Sequence, residues 1–256
     1  MSLPRFHHAP IDVAPGSTLI LEGSEARHAT RVLRLAAGDR AVVFDGAGVA
    51  VLTEVVGGRG ERLELRVLEA HTASRELPIA ITVAPAVLKG DAMDALIRDA
   101  TMLGATAIAP IVTARTVVPA RASASVTVVE RWRRVALASV KQCGRSVLPA
   151  IVAARPLDAA LRDPLWVDAT RLILCEPEVS RGAATGAVDP PALPGPVVVL
   201  SGPEGGWTPE EVALAIDLGW QPWTCSPLTL RAETAPIVAL GIVGWMATRA
   251  GATRPR

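Results

Sequence analysis

Lysine is almost missing from this chain. Lys89 and Lys141 are the only lysines among 26 basic residues, and arginine supplies the rest. Arginine's planar fork suits phosphate, but arginine and alanine also rise together in GC-rich coding sequence, and the overall bias is read that way. Cysteine is scarce as well: Cys143, Cys175 and Cys225 are odd in number and widely spaced, which gives neither a disulfide framework nor a metal cluster. The four histidines, His7, His8 and His28 among them, show no metal-ligand spacing, so no metal is expected. No apolar run reaches the roughly 20 residues of a membrane span. The best window, Ala235 to Thr248, is too short and holds Pro236 and two glycines. Met1 to Pro10 carries Arg5, His7 and His8 with no apolar core, so no secretory signal is expected, and a cytoplasmic protein without a membrane partner is. The net charge of +1 neither demands nor forbids nucleic acid.

What is present is a chain of 256 residues, half of them hydrophobic, long enough for one large or two modest domains. Residues 1–72 read as β-rich, with short alternating runs at Thr18–Leu21, Arg40–Phe44, Val49–Val56 and Leu63–Leu68. Gly38-Asp39, Asp45-Gly46 and Gly57-Gly58 separate them as turns. One helix, Ser24 to Leu35, interrupts the runs, and the pattern predicts a small barrel. A polar stretch to Pro78 follows, giving a linker at 73–78. Residues 79–256 then alternate between continuous apolar strands and helices. Strands are expected at Ile79–Val87, Ile108–Val112, Leu172–Leu174 and Val197–Leu200, and helices at Ala92–Leu103, Val126–Val140, Pro209–Leu218 and Thr234–Arg249. That alternation predicts an α/β domain with a parallel sheet. Ala183 to Pro196 reads as a proline- and glycine-rich surface loop.

The most informative stretch is Leu200-Ser201-Gly202-Pro203-Glu204-Gly205-Gly206-Trp207-Thr208-Pro209-Glu210-Glu211. A buried strand runs into a glycine turn and then into a capped helix, with Thr208 as N-cap, Pro209 at the first helical position and Glu211 closing a capping box. Glycines there let bare backbone approach a ligand, at the strand end where open parallel sheets bind ligands. The loop lacks the lysine and hydroxyl of a phosphate-binding P-loop, which argues against a nucleoside triphosphate. On pattern alone it is equally a plain strand-to-helix turn. A second unusual segment, Leu228-Thr229-Leu230-Arg231-Ala232-Glu233-Thr234, places Arg231 and Glu233 before an apolar helix. Taken alone, the two are as well read as an ion pair or a helix-dipole contact.

In the predicted helix Ser24–Leu35, Arg27, Arg31 and Arg34 stand at i, i+4 and i+7, with His28 beside them. Such a stripe can neutralise RNA phosphates, or it can be a solvated face. Arg5, His7 and His8 are expected to extend it if the N-terminal segment lies nearby. Arg145, after the helix-ending Gly144, either holds a phosphate or satisfies the last helical carbonyls.

Taken in order, Pro4-Arg5-Phe6-His7, His28-Ala29-Thr30-Arg31-Val32-Leu33-Arg34, Phe44-Asp45-Gly46, Lys89-Gly90-Asp91, Gln142-Cys143-Gly144-Arg145, the Gly202–Gly206 loop and Leu230–Thr234 resemble one family nearly end to end. It is the RsmE family of 16S ribosomal RNA uracil-N3 methyltransferases. The resemblance implies a SPOUT-type trefoil-knotted α/β domain with a small N-terminal PUA-like β-barrel. It also implies S-adenosylmethionine as methyl donor, 16S ribosomal RNA or the small ribosomal subunit as partner, and a homodimer. By the same resemblance Gly202, Pro203, Glu204, Gly205, Gly206, Cys225, Ser226, Leu228, Leu230 and Thr234 hold the donor, with Leu174, Leu200, Leu228 and Leu230 lining its purine. Arg231 and Glu233 are the catalytic pair, and Arg5, His7, Arg27, His28, Arg31, Arg34 and Arg145 meet RNA. Asp99, Met102, Leu228 and Ala232 depart from the family's usual residues. A rival reading from a different class is a non-catalytic RNA-binding ribosome-assembly factor on the same fold.

Overall fold

The computed structural model describes residues 3–71, 76–177 and 192–252. The linker expected at 73–78 lies partly outside the described residues, and the loop expected at Ala183 to Pro196 lies mostly outside them. The chain divides into two compact units, Met1–Glu76 with Leu137–Leu148, and Leu77–Ala136 with Pro149–Arg256.

The first unit is built on five strands: β1 (Arg5–His7), β2 (Thr18–Glu22), β3 (Arg40–Phe44), β4 (Ala50–Arg59) and β5 (Arg62–Ala70). They form a half-barrel in the order β1-β3-β4-β5-β2, with β1 parallel to β3 and the other pairs antiparallel. β5 shows why the sheet has two unlike faces. Leu63, Leu65 and Val67 point into the core while Arg62, Glu64 and Arg66 face water, the alternation a one-sided sheet requires. Phe6 of β1 is fully buried, so this three-residue strand is held by one aromatic anchor.

The predicted helix Ser24–Leu35 forms differently. An α-helix, α1 (Gly23–Arg27), passes into a π-helical turn over His28–Val32, in which the Leu33 N–H donates to the His28 carbonyl at 3.0 Å. Thr30 Oγ1 donates toward the carbonyls of both Ala26 and Gly60, 2.8 Å from each, and competes with the regular helical ladder. Arg34 then takes a left-handed φ of 56°. The spacing i, i+4, i+7 therefore does not set Arg27, Arg31 and Arg34 on one face of a single regular helix, and that expectation is corrected.

The second unit holds a parallel sheet of β6 (Ile81–Pro85), β7 (Ala107–Ile108), β9 (Ala150–Ile151), β11 (Thr170–Leu174), β12 (Val197–Ser201) and β13 (Gln221–Trp223), in the order β13-β11-β12-β6-β7-β9. The expected strand Ile108–Val112 splits around Pro110. Its second half, β8 (Ile111–Val112), pairs instead with β10 (Arg155–Pro156), because proline has no N–H for a ladder. The helices are α2 (Asp91–Met102), α3 (Ala120–Ser123), α4 (Val126–Cys143), α5 (Leu157–Leu161), α6 (Pro209–Asp217) and α7 (Ala235–Ala252). Residues from Leu137 onward in α4 count with the first unit. Apolar side chains cover both sheet faces. Leu172, Leu174, Val197 and Val199 pack with α2, α7 and the start of α4, whereas Ile173, Val198 and Leu200 pack with α5, α6, Trp166 and Trp220.

Gly58, in the β4–β5 hairpin, faces backbone: a Cβ there would lie 2.5 Å from the Arg62 carbonyl oxygen and 2.8 Å from Leu63 Cα. Gly58→Ala should therefore force the strands apart at a cost of about 1–3 kcal/mol. Amide hydrogen exchange across β4 and β5 is expected to quicken at least roughly tenfold, and unchanged protection would contradict this packing.

Candidate functional site

All strands around β11 run parallel, so β6, β12, β11 and β13 end at one edge of the sheet. Three of the turns leaving that edge, after β11, β12 and β13, enclose a cavity of about 620 Å³ lined by residues 174–177, 201–207, 224–226 and 228–233, with Ala92, Arg115 and Ala235 completing the wall.

The glycine turn after β12 is fixed from several sides. The Gly206 N–H donates to the Pro203 carbonyl at 2.9 Å, and Gly206 has a φ of 69° that favours glycine. Trp207 Nε1 donates to the Leu174 carbonyl at 2.8 Å, fastening this turn to the end of β11. A Cβ on Gly202 would sit 3.1 Å from the Trp207 ring, so any side chain there would crowd the tryptophan where it closes over the turn. Glu204 accepts the Lys89 backbone N–H at 3.1 Å and so braces the neighbouring turn after β6. Arg115 donates to the carbonyls of Gly205 and Trp207. The expected capping box is present: Thr208 Oγ1 accepts the Glu211 N–H at 3.2 Å, and the Glu211 carboxylate accepts the Thr208 N–H at 2.9 Å. Glu210, in the same first turn, has its carboxyl pKa lowered by its own backbone N–H, then by Thr208 and by the charge of Arg115.

The turn after β13 is tied to β11 by Thr224 Oγ1, which donates to the Cys175 carbonyl at 3.2 Å. Ser226 Oγ accepts the Leu228 N–H at 3.1 Å, leaving Leu228 exposed at the cavity mouth. The Arg231 guanidinium is 4.0 Å from the Glu233 carboxylate, with the arginine side chain 87% exposed and the glutamate 32%. An ion pair so open contributes little to stability, and the arginine is free to meet a ligand. Cys175 and Cys225 line the cavity as neutral thiols. Burial, then the charge of Glu176, pushes the Cys175 thiol up to about 11, and burial raises Cys225 as well.

The structure brings Leu174, Gly202 through Gly206, Cys225, Ser226, Leu228, Leu230, Arg231 and Glu233 around this one cavity. Leu200 and Thr234 are not on its wall. Leu200 is fully buried on the opposite face of the sheet from Leu174. Register explains this, because Leu200 pairs with Ile173 rather than Leu174, and neighbours in register share a face. Thr234 is exposed at the start of α7, its carbonyl accepting the Val238 N–H at 3.0 Å. Arg115, Glu176, Trp207 and Thr224 also line the cavity. Of these only Arg115 reaches the site through long-range packing alone; Trp207 and Thr224 adjoin the expected Gly206 and Cys225, and Glu176 lies two positions after Leu174, so adjacency was the signal that could have found them.

In the first unit the basic residues separate into two groups. Arg27, His28, Arg31 and Arg34 are exposed, with Arg27 loosely paired to Glu61 at 3.4 Å. Arg145 is 3% exposed and ion-paired with Glu76 at 2.6 Å. Arg5 donates to the Arg145 carbonyl at 2.7 Å and lies over the Phe44 ring, and burial lowers its pKa. His7 Nε2 lies 3.2 Å from the Asp45 carbonyl, and its ring packs on Phe44. Arg145 is thus a buried structural cation and not an exposed phosphate ligand, a correction to its expected place. Arg5 and His7 are half-buried within the same network.

An RNA methyltransferase domain model matches residues 75–244, and an RNA methyltransferase PUA domain model matches residues 21–68. The chain is 34% identical over 227 residues, 88% of its length and 72% of the relative's, to ribosomal RNA small subunit methyltransferase E of Synechocystis. The chain belongs to the ribosomal RNA small subunit methyltransferase E family. The family member of Bacillus subtilis is 28% identical over 92% of both chains. The Neisseria gonorrhoeae family member, solved bound to S-adenosyl methionine, superposes with a TM-score of 0.85 at 30% identity, covering 96% of this chain and 98% of that one. The fold is accordingly an α/β SPOUT domain with a PUA-like N-terminal domain, and the chain is an RNA methyltransferase.

Cys175 gives this site a stability signature. Its thiol titrates from an ordinary 9.0 to about 11 when folded, so the unfolded chain loses the proton first. The stabilisation is complete below about pH 9 and is lost as pH rises toward 11, with a ceiling of roughly 3 kcal/mol. The chain has no tyrosine to obscure that window. Urea unfolding at pH 8 and pH 10.5 should show this loss in the native chain and a smaller one in Cys175→Ala; equal losses would contradict it.

Proposed function

We propose that this chain transfers the methyl group of S-adenosylmethionine to N3 of a uridine in 16S ribosomal RNA, acting as a cytoplasmic homodimer on that RNA or on the small subunit. The observation that carries the reading is the single cavity joining the glycine turn of β12 to the segment that bears Arg231 and Glu233. Its residues fit the donor. Gly202 and Gly205 keep side chains out of a wall that a Cβ would crowd, backbone groups of 202–206 are at hand for an adenine edge, and Leu174 and Leu230 offer apolar surface. Ser201 Oγ, on the same wall, has no hydrogen-bond partner among the described residues. When bound, S-adenosylmethionine supplies an electrophilic methyl on a sulfonium centre.

The chain's own work is alignment and charge. A neutral imide nitrogen is a poor nucleophile, so the N3 proton must leave as the bond to carbon forms. Arg231, exposed at the rim, stabilises the negative charge that develops on the uracil oxygens. Glu233 holds Arg231 in place or helps to remove the proton. Holding donor and base in line supplies much of the acceleration, and the base must be splayed out of folded RNA to enter. The exposed Arg27, His28, Arg31 and Arg34 grip phosphate without reading sequence.

Incubating the purified chain with small subunits and S-adenosylmethionine, then digesting the RNA for nucleoside mass spectrometry, should yield 3-methyluridine; a different product or none would refute the assignment. Arg231→Ala should lower kcat roughly a hundredfold while donor affinity changes little. Arg27→Ala and Arg31→Ala should each weaken RNA binding and flatten its salt dependence by about one unit of log–log slope, and unchanged slopes would remove these residues from the interface.

A further inference from the structure

We infer that Arg115 is a positioning residue of methyl transfer, shaping the donor loop through its backbone carbonyls; this role rests on the reading of the cavity as the donor site. Arg115 stands in the turn after β8, 90 positions before Gly205. One nitrogen, Nη1, donates to the Gly205 carbonyl at 2.9 Å and to the Trp207 carbonyl at 3.1 Å. Hydrogen bonds from a charged donor are roughly twice as strong as neutral ones. Because each peptide is planar, fixing those carbonyls also fixes the N–H groups of Gly206 and Thr208, which are engaged with Pro203 and Glu211. A second tie runs alongside: the Ala114 N–H donates to Glu211 Oε1 at 2.7 Å. An independent observation agrees. A Cβ on Gly205 would lie 3.2 Å from Arg115 Cβ and 3.5 Å from its Cδ, so a side chain there would press on the arginine where it crosses this loop.

Arg115 is itself exposed. Removing it opens no core cavity, which separates a positioning role from a folding one. The turn after β8 is a brace that keeps the glycine loop in its donor-ready shape before any ligand arrives, and preorganisation of this kind tells on affinity for the ligand held.

The test is steady-state methylation of small subunits, with calorimetric titration of S-adenosylmethionine into the full-length chain. Arg115→Ala should raise the KM and Kd for the donor roughly tenfold, with kcat at saturating donor within about twofold, an unchanged KM for RNA and a melting temperature within a few degrees. Arg115→Lys, whose ammonium also has donors for two carbonyls, should recover most of the affinity; Arg115→Met should recover none. Gly205→Ala should reproduce the donor defect, and combining it with Arg115→Ala should add nothing further. An unchanged donor KM in Arg115→Ala, a defect in kcat or RNA KM alone, or additive defects would overturn the role. A native chain that binds no donor would overturn the reading of the cavity and this role with it. Native binding matched by Arg115→Ala would overturn the role alone.

Discussion

Parallel pairing is the constraint on which the site depends. β12 lies between β6 and β11, with β13 beyond β11, and all four run the same way. Parallel strands bring their carboxyl ends, and the turns that follow, to one edge. A turn of three glycines, a turn carrying Cys225 and Leu228, and the approach to α7 carrying Arg231 and Glu233 therefore meet, though up to about thirty residues of chain separate them. Apolar packing on both faces holds that pairing. Val197 and Val199 bury against α2 and α7, and Val198 and Leu200 bury against α5 and α6.

The turns are then locked by polar contacts that no single element could supply. Trp207 reaches the Leu174 carbonyl, Glu204 the Lys89 N–H, Thr224 the Cys175 carbonyl, and Arg115 the carbonyls of Gly205 and Trp207. Each is modest alone. Together they hold bare backbone against a cavity, and the lack of a Cβ at 202 and 205 leaves room for the Trp207 ring and for Arg115 to lie close to that turn. The Arg231–Glu233 ion pair on the rim is loose, and its arginine is exposed. That suits a cation whose partner arrives with the substrate.

Local chemistry was legible in the residues. The capping box at Thr208 and Glu211, the glycine turn before it, the one-sided alternation of β5 and the glycine after α4 are all signals within a few positions, and each is present. Signals that depend on distant partners were not legible. The order of strands around β12 is set by packing of segments more than a hundred residues apart. Arg115 stands in an unremarkable threonine-flanked turn, and its two carbonyl partners exist only in the folded chain. The family resemblance puts Leu200 beside Leu174 on the purine wall, but strand phase sends it to the opposite face. The basic stripe failed for a reason that pattern does not show: the helix widens to a π turn over His28–Val32 before Arg34 leaves it, with the Thr30 hydroxyl shared between the Ala26 carbonyl and the distant Gly60 carbonyl.

Bare peptide between 202 and 206 forms the wall of the proposed donor site. Calorimetric titration of S-adenosylmethionine into the native chain and into Gly202→Val, with circular dichroism to verify folding, tests it most directly. Saturable binding of one donor per chain, abolished in the variant whose side chain would meet the Trp207 ring, is the predicted result. A native chain that takes up no donor, or a folded Gly202→Val that binds it equally well, would contradict the account.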